Sequence, residues 1–372
     1  MESVIERLCN WYEGIKSPPE AVQIYPTNSC NLSCIFCVQR AHLYNPKEEI
    51  STKRLLEVTR EICEMGVKKF LISGGGEPLL SPSKTLGIMK IIKSYGGEGC
   101  IITNNTCWKS SHLKMLIKIK WDKVMISLHG STPETHNFLT GCNKAFTKLL
   151  KNLKLLNSYK KKFGSNFPLT EFTFVLNKLN YKEVPEIISL AYELGVKGVN
   201  LEPLCINNKE AESIKLSKDE RRLFFKEILP RAEKLANKFN INTNFQQLKK
   251  VKFIEKAGKL KAEILKHCEN KEHPFLSSPC YEPWLWPKIE ANGELWPCST
   301  VHFKTTNIKD KSFKEIWYGT EFENFRKRIL KRELPEECQN CVLTHIPLQM
   351  ELRKRLKENI IKKLIHKRQN VF

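Results

Sequence analysis

Ala21-Val22-Gln23-Ile24-Tyr25-Pro26-Thr27-Asn28-Ser29-Cys30-Asn31-Leu32-Ser33-Cys34-Ile35-Phe36-Cys37 is a β-rich run that ends in three cysteines spaced C-x3-C-x2-C. The run reads as a strand, and the polar Thr27-Asn28-Ser29 leads from it into the cysteine loop. Three thiolates this close hold three irons of a four-iron cluster, whereas such clusters normally take four cysteine ligands. The next cysteine in the chain is Cys63, so the spacing reserves one iron for another ligand. C-x2-C pairs also serve zinc, but a tight triplet with an aromatic before its third member makes a poor tetrahedral zinc knuckle.

Downstream, β-rich runs recur at 68–73, 99–103, 123–128, 171–176 and 198–203, six in all with 21–26. Helix-like stretches lie between them at 51–65, which opens on a Ser-Thr cap signal, and at 82–95, 110–119, 143–162 and 181–194. This alternation predicts an α/β fold with a parallel sheet, a partial (β/α)6 TIM-like barrel two units short of the eight-stranded form. Parallel β/α folds place their active sites just after the strands, and polar or Gly-rich residues fall there. The cysteine loop follows the first strand, Gly74-Gly75-Gly76-Glu77 the second, Thr103-Asn104-Asn105-Thr106 the third, Ser127-Leu128-His129-Gly130 the fourth and Asn177 the fifth.

A strand, then C-x3-C-x2-C, then Gly74-Gly75-Gly76-Glu77-Pro78 resembles the radical S-adenosylmethionine (SAM) enzymes. The resemblance implies a 4Fe-4S cluster on Cys30, Cys34 and Cys37 whose open iron chelates the amino and carboxylate groups of SAM. It implies that Gly74 to Glu77 line the methionine amino group, that Thr103, Asn104 and Ser127 lie near the ribose or carboxylate, and that Phe36 sits against the adenine. Asn177 belongs to the same strand-end set. Reductive cleavage of SAM to a 5′-deoxyadenosyl radical, which takes hydrogen from an unreactive C–H bond, is the implied chemistry, the cofactor carrying the hard step. His129, Cys142 and Cys205 are weak candidates for contact with substrate, a plain loop histidine and buried bystander thiols being the simpler reading.

A second constellation is Cys280-Tyr281-Glu282-Pro283-Trp284, then Asn292-Gly293-Glu294-Leu295-Trp296-Pro297-Cys298, then Cys338-Gln339-Asn340-Cys341. The Asn-Gly step signals a hairpin flanked by Cys280 and Cys298. Four thiolates from a ribbon and a C-x2-C suit a fully ligated four-iron cluster or a zinc ribbon, and spacing alone does not separate the two. The segment resembles the twitch and SPASM domains appended to radical SAM enzymes. A full SPASM domain carries further cysteines, and none follows Cys341, which implies the twitch form with one auxiliary 4Fe-4S cluster. A closed cluster accepts an electron rather than a substrate, which implies a net oxidation such as dehydrogenation or side-chain cross-linking. Twitch-type sugar-alcohol dehydrogenases and sulfatase- and peptide-maturing enzymes are the analogues.

The 372 residues suit one large core and an appended smaller one. The expected division is an N-terminal extension (1–20), the core barrel (21–204), a helical insert (205–270) with helices at 217–239 and 246–266, the auxiliary-cluster domain (271–345) and a basic C-terminal helix (346–372). No peptide-binding winged helix precedes the first strand, which weakens a ribosomal-peptide substrate. The charged start Met1-Glu2-Ser3-Val4-Ile5-Glu6-Arg7 is not a signal peptide, so the fourteen cysteines read as reduced thiols of a cytoplasmic protein. No run of about 18 apolar residues predicts a membrane span. SAM, a flavodoxin- or ferredoxin-like reductant and a small-molecule or peptide substrate are the expected partners. The net charge of +22, concentrated at 249–266 and 353–368, suits an acidic partner such as nucleic acid, and an RNA-modifying enzyme is the alternative function, with a non-catalytic iron–sulfur electron carrier behind it. Leu352, Leu356, Ile360 and Leu364 form one stripe at helical spacing, so a docked helix with a solvated basic face is the simpler account of the second segment.

Overall fold

The computed structural model describes residues 2–38, 46–206, 208–251, 264–266, 268, 273–301, 306–341 and 345–369. Six parallel strands, β1 (Ala21–Ile24), β2 (Lys69–Ile72), β3 (Glu98–Thr103), β4 (Lys123–Ser127), β5 (Leu169–Leu176) and β6 (Gly198–Pro203), pair in chain order. Helix α1 (Glu2–Tyr12) precedes them, and α2 (Thr52–Glu64), α3 (Pro82–Ser94), α4 (Ser110–Lys118), α5 (Pro133–Thr140), α6 (Ala145–Lys162) and α7 (Val184–Glu193) form the crossovers. Side chains alternate across each strand: in β5, Thr170, Phe172, Phe174 and Leu176 are buried, while Glu171, Thr173 and Val175 are half-buried. Phe172 and Phe174 share the main core with Leu149 and Leu153 of α6 and Ile187 and Ile188 of α7, so the half-buried set is left on the concave side.

Helix α5 adds to the elements expected from sequence. Thr132 caps it by accepting from Thr135 N at 3.3 Å, Pro133 occupies its first turn, and Gly141 ends it at φ 64°, the usual asymmetry of helix ends. The insert is not simply two helices. Lys218–Leu223 passes through a π turn at Phe224–Ile228 into Leu229–Phe239, since Pro230 has no N–H with which to continue the regular ladder. A short strand, β7 (Asn242–Thr243), then pairs parallel to β6, ahead of the helix Phe245–Val251. The remainder of the predicted 246–266 helix lies largely outside the described residues.

The predicted hairpin forms as β8 (Lys288–Ile289) and β9 (Leu295–Trp296), closed by Gly293 N donating to Glu290 O at 2.9 Å with Gly293 at φ 86°. It is not a detached module. β8 pairs parallel to β1, with Gln23 N donating to Pro287 O at 3.0 Å and Tyr25 N to Ile289 O at 2.9 Å. The sheet therefore runs β7-β6-β5-β4-β3-β2-β1-β8-β9.

A second core joins the two ends of the described chain. Ile5 and Leu8 of α1 pack with Phe275, Tyr281, Trp284, Phe325 and Ile329 and with Leu352, Leu356 and Ile360 of the helix His345–Gln369. The stripe on that helix is thus docked as a core face, and the Leu364 side chain lies outside the described set. Residues 1–20, expected as an extension, contribute α1 to the C-terminal unit. Arg326 fastens it, its guanidinium 4.6 Å from the Trp11 ring and 4.3 Å from the Trp317 ring. Among the described residues no helix is long and apolar enough to cross a membrane.

Candidate active site

The loop after β1 is fastened on three sides. Glu49 accepts from Thr27 Oγ1 and, at 3.2 Å, from Asn28 N, and pairs with the buried Lys84 at the start of α3. Gly76 N donates to Thr27 O at 3.2 Å and Glu77 N to Ser29 O at 2.8 Å. From the last turn of α5, Thr140 O and Leu139 O accept from Ser33 N and Ile35 N at 3.0 and 3.1 Å. The glycines serve this closure: a Cβ on Gly75 would stand 1.7 Å from Asn28 Oδ1, and one on Gly76 would stand 1.9 Å from Ser29 O. Their need is for contact between two loops of the chain.

Cys30, Cys34 and Cys37 are free and half-buried on this loop. Burial pushes the Cys30 and Cys34 thiols up, and the neighbouring cysteines, Cys142 among them for Cys34, push further. Three thiols on one loop suit an iron centre, which deprotonates its thiol ligands outright. The Oδ1 of Asn28 is buried and unpartnered against the Gly75 backbone, an acceptor suited to the ammonium of an amino acid.

At the end of β3, Thr103 Oγ1 and Asn104 N donate to Glu77 at 2.7 Å each, and Leu79 N adds a third bond at 3.1 Å. Burial still holds the Glu77 carboxyl above the usual carboxylate range, against the pull of these donors. Glu77 therefore locks the Gly-rich loop to β3 as well as bordering the site. Asn104 reaches the cysteine loop through Nδ2 to Asn31 Oδ1 at 3.0 Å. Ser127 ends β4 opposite Thr173. Phe36 is buried with its ring centroid 4.7 Å from that of His129, edge to face. His129 Nδ1 accepts from Val175 N at 3.2 Å, which leaves the proton on Nε2, and burial lowers its pKa to about 3. His129 is thus a neutral, fixed imidazole.

The amide of Asn177 is spent within its own turn, on Val175 O and Leu179 N, a local Asx contact. Cys142 lies beside the cysteine loop, whereas Cys205 is exposed past β6. Sequence reading missed Asn28, Glu49 and Lys84. It also missed Glu202, half-buried on the side of β6 that carries Asn200, with its carboxyl raised by burial; the two-residue alternation of β6 was the available signal.

In the C-terminal unit, burial raises Cys280 well above the ordinary thiol range, reinforced by Glu282, Cys341 and Cys298. Cys298 is raised by burial too, while its sulfur accepts from Val301 N at 3.3 Å. Cys338 packs on the second core and opens the turn in which Cys341 N donates to Cys338 O at 3.4 Å. Cys298 and Cys341 both come within electrostatic reach of Cys280, and all fourteen cysteines are free. A soft, all-sulfur donor set with a backbone N–H on one sulfur suits an iron–sulfur cluster.

Residues 24–191 match the Radical SAM superfamily and residues 280–342 match SPASM, an iron-sulfur cluster-binding domain. The protein is a radical SAM enzyme with a C-terminal SPASM domain, and these domains bring a 4Fe-4S cluster with SAM and an auxiliary iron–sulfur cluster. It is 25% identical over 332 residues to the AdoMet-dependent heme synthase of Methanosarcina barkeri, covering 88% of this chain and 90% of the relative. It is 22% identical to the PqqA peptide cyclase of Gluconobacter oxydans, covering 88% and 84%. Among solved structures, Streptococcus suis SuiB bound to its precursor peptide SuiA superposes with a TM-score of 0.63 at 17% identity, covering 93% of this chain and 74% of SuiB.

Proposed function

We propose that the protein is a radical SAM oxidoreductase acting on a C–H bond of a peptide or small molecule at the concave face of the sheet. In this reading Cys30, Cys34 and Cys37 hold the SAM-binding cluster, and Cys280, Cys298, Cys338 and Cys341 hold an auxiliary 4Fe-4S cluster that accepts the electron left on the substrate. When bound, the reduced cluster and SAM supply a 5′-deoxyadenosyl radical. The chain binds and orients: Asn28 Oδ1 and the Gly74 to Glu77 loop receive the amino-acid end of SAM, and Thr103, Asn104 and Ser127 border its middle. Phe36 and the neutral His129 wall the adenine side. The observation that carries the oxidative reading is the direct pairing of β8 with β1, which joins the strand leading into the first cysteine loop to the hairpin that leads to Cys298. The peptide cyclase and peptide-bound relatives favour a peptide, and the heme synthase favours a small molecule. The docked stripe of the helix His345–Gln369 supports a solvated basic face over a nucleic-acid site.

Anaerobic reconstitution with iron and sulfide, followed by iron counting and an assay for 5′-deoxyadenosine under a flavodoxin- or ferredoxin-type reductant, tests this. We expect about eight irons in the wild type. The Cys30/Cys34/Cys37→Ala variant should hold about four and form no 5′-deoxyadenosine. Zinc at the C-terminal cysteines with only about four irons in the wild type would overturn the oxidative reading.

A further inference from the structure

Lys288 is 1% exposed, a lysine enclosed in the sheet between the two cysteine sets. Its Nζ lies 3.7 Å from the centroid of the Trp296 ring and 4.9 Å from that of Tyr25. It pairs with Glu290 Oε1 at 2.8 Å and donates to Ser299 O, beside Cys298, at 3.1 Å. Tyr25 follows β1 directly and is in electrostatic reach of Cys37 on its other side. Lys288 thus stands between Tyr25, which comes just before the first cysteine loop, and Trp296, two residues before Cys298.

Burying an ammonium costs several kcal/mol after relaxation, and an apolar residue would fill the space between two aromatic rings without that cost. An ion pair, a carbonyl and two ring faces hold the charge in place instead. One-electron reduction adds a negative charge to an iron–sulfur cluster, and nearby net charge is among the terms that set its potential. We propose that Lys288 is a fixed positive charge that raises the reduction potential of the auxiliary cluster, with Glu290 as the counter-charge that limits the rise. The step balances as one electron and one proton: the substrate radical is oxidised, its electron goes to the cluster, which is reduced by one, its proton leaves to solvent, and Lys288 keeps its own proton throughout while making the cluster the better acceptor. This rests on the reading of the C-terminal cysteines as an iron–sulfur site.

The test is an EPR-monitored redox titration of the reconstituted full chain carrying Cys30/Cys34/Cys37→Ala, so that only the auxiliary cluster is seen. Lys288→Met should weaken reduction at least tenfold, a shift of about 59 mV to lower potential for one electron. Lys288→Arg should stay near the parent, and Glu290→Gln should shift the other way. Unmoved potentials, or shifts of the same sign for Lys288→Met and Glu290→Gln, overturn the proposal while leaving the cluster reading intact. A parent with bound zinc and no reducible signal overturns both. Should Lys288→Met fail to fold, the sign of the Glu290→Gln shift decides.

Discussion

Glu77→Gln separates the structural role of the Gly-Gly-Gly-Glu loop from the role toward SAM proposed for it. The carboxylate accepts Thr103 Oγ1 and Leu79 N on Oε1 and Asn104 N on Oε2, and the residue is 2% exposed. Glutamine keeps one acceptor. With its oxygen placed toward Thr103 and Leu79, its amide N–H groups face the Asn104 N–H, so one buried donor loses its partner. That loss costs about 1–3 kcal/mol. Glu77→Ala orphans all three donors and should cost more, up to what entering water restores. The assay is urea unfolding of the apo chain, without iron or SAM, compared with SAM binding by the reconstituted protein. A lower midpoint for both variants in the apo chain is expected, ordered wild type, Gln, Ala. Apo stability equal to wild type, with only SAM binding reduced, would refute the locking role assigned to Glu77.

His129 and His136, with pKa values lowered by burial to about 3 and about 4 from an ordinary 6.5, stay neutral in the fold. The unfolded chain therefore binds protons that the folded chain refuses. Their contribution is full above pH 6.5 and falls by about 1.4 kcal/mol per unit and per histidine below it; His136→Phe should flatten the decline in urea melts from pH 7 to pH 5, and an unchanged slope would contradict this. Gly76→Ala sets a Cβ 1.9 Å from Ser29 O, backbone against backbone, and should strip iron from the first site while sparing the second, as read by iron counting on a Cys280→Ala background and alone. Leu356→Ala, fully buried in the second core, should cost about 2–5 kcal/mol and open α1 to protease; undiminished resistance would show that α1 does not rest on that core.

The strands were legible because fully covered parallel strands read as short apolar runs: β2, β4 and β5 fall within the expected 68–73, 123–128 and 171–176, or within two residues of them. The grouping of Cys30, Cys34 and Cys37 on one loop was legible because their spacing in the chain needs no tertiary context. The isolation of the Asn28 carbonyl was hidden, since it arises only when the Gly75 backbone closes over it. Glu49 and Lys84 pair across a gap of 35 residues, which no local pattern reports. The hairpin announced itself through Asn292-Gly293, whereas its attachment to β1 is a choice of sheet edge and leaves no trace in a two-residue strand. The segment β7 is equally brief, and α5 was overlooked although Thr132, Pro133 and Gly141 mark both its ends.

The packing of α1 on the helix His345–Gln369 bears on how the protein is made. Leu8 is translated early, and its core partners Leu352, Leu356 and Ile360 emerge only after the whole barrel. Domains form as the chain leaves the ribosome, N-terminal parts first, and contacts of such wide sequence separation are slow to close. The barrel strands are therefore free to pair while α1, with Ile5 and Leu8 uncovered, waits for its partners. The SPASM-side core is closed after the barrel, so a ribosome stalled within the helix His345–Gln369 would hold a finished barrel beside an unfinished C-terminal unit.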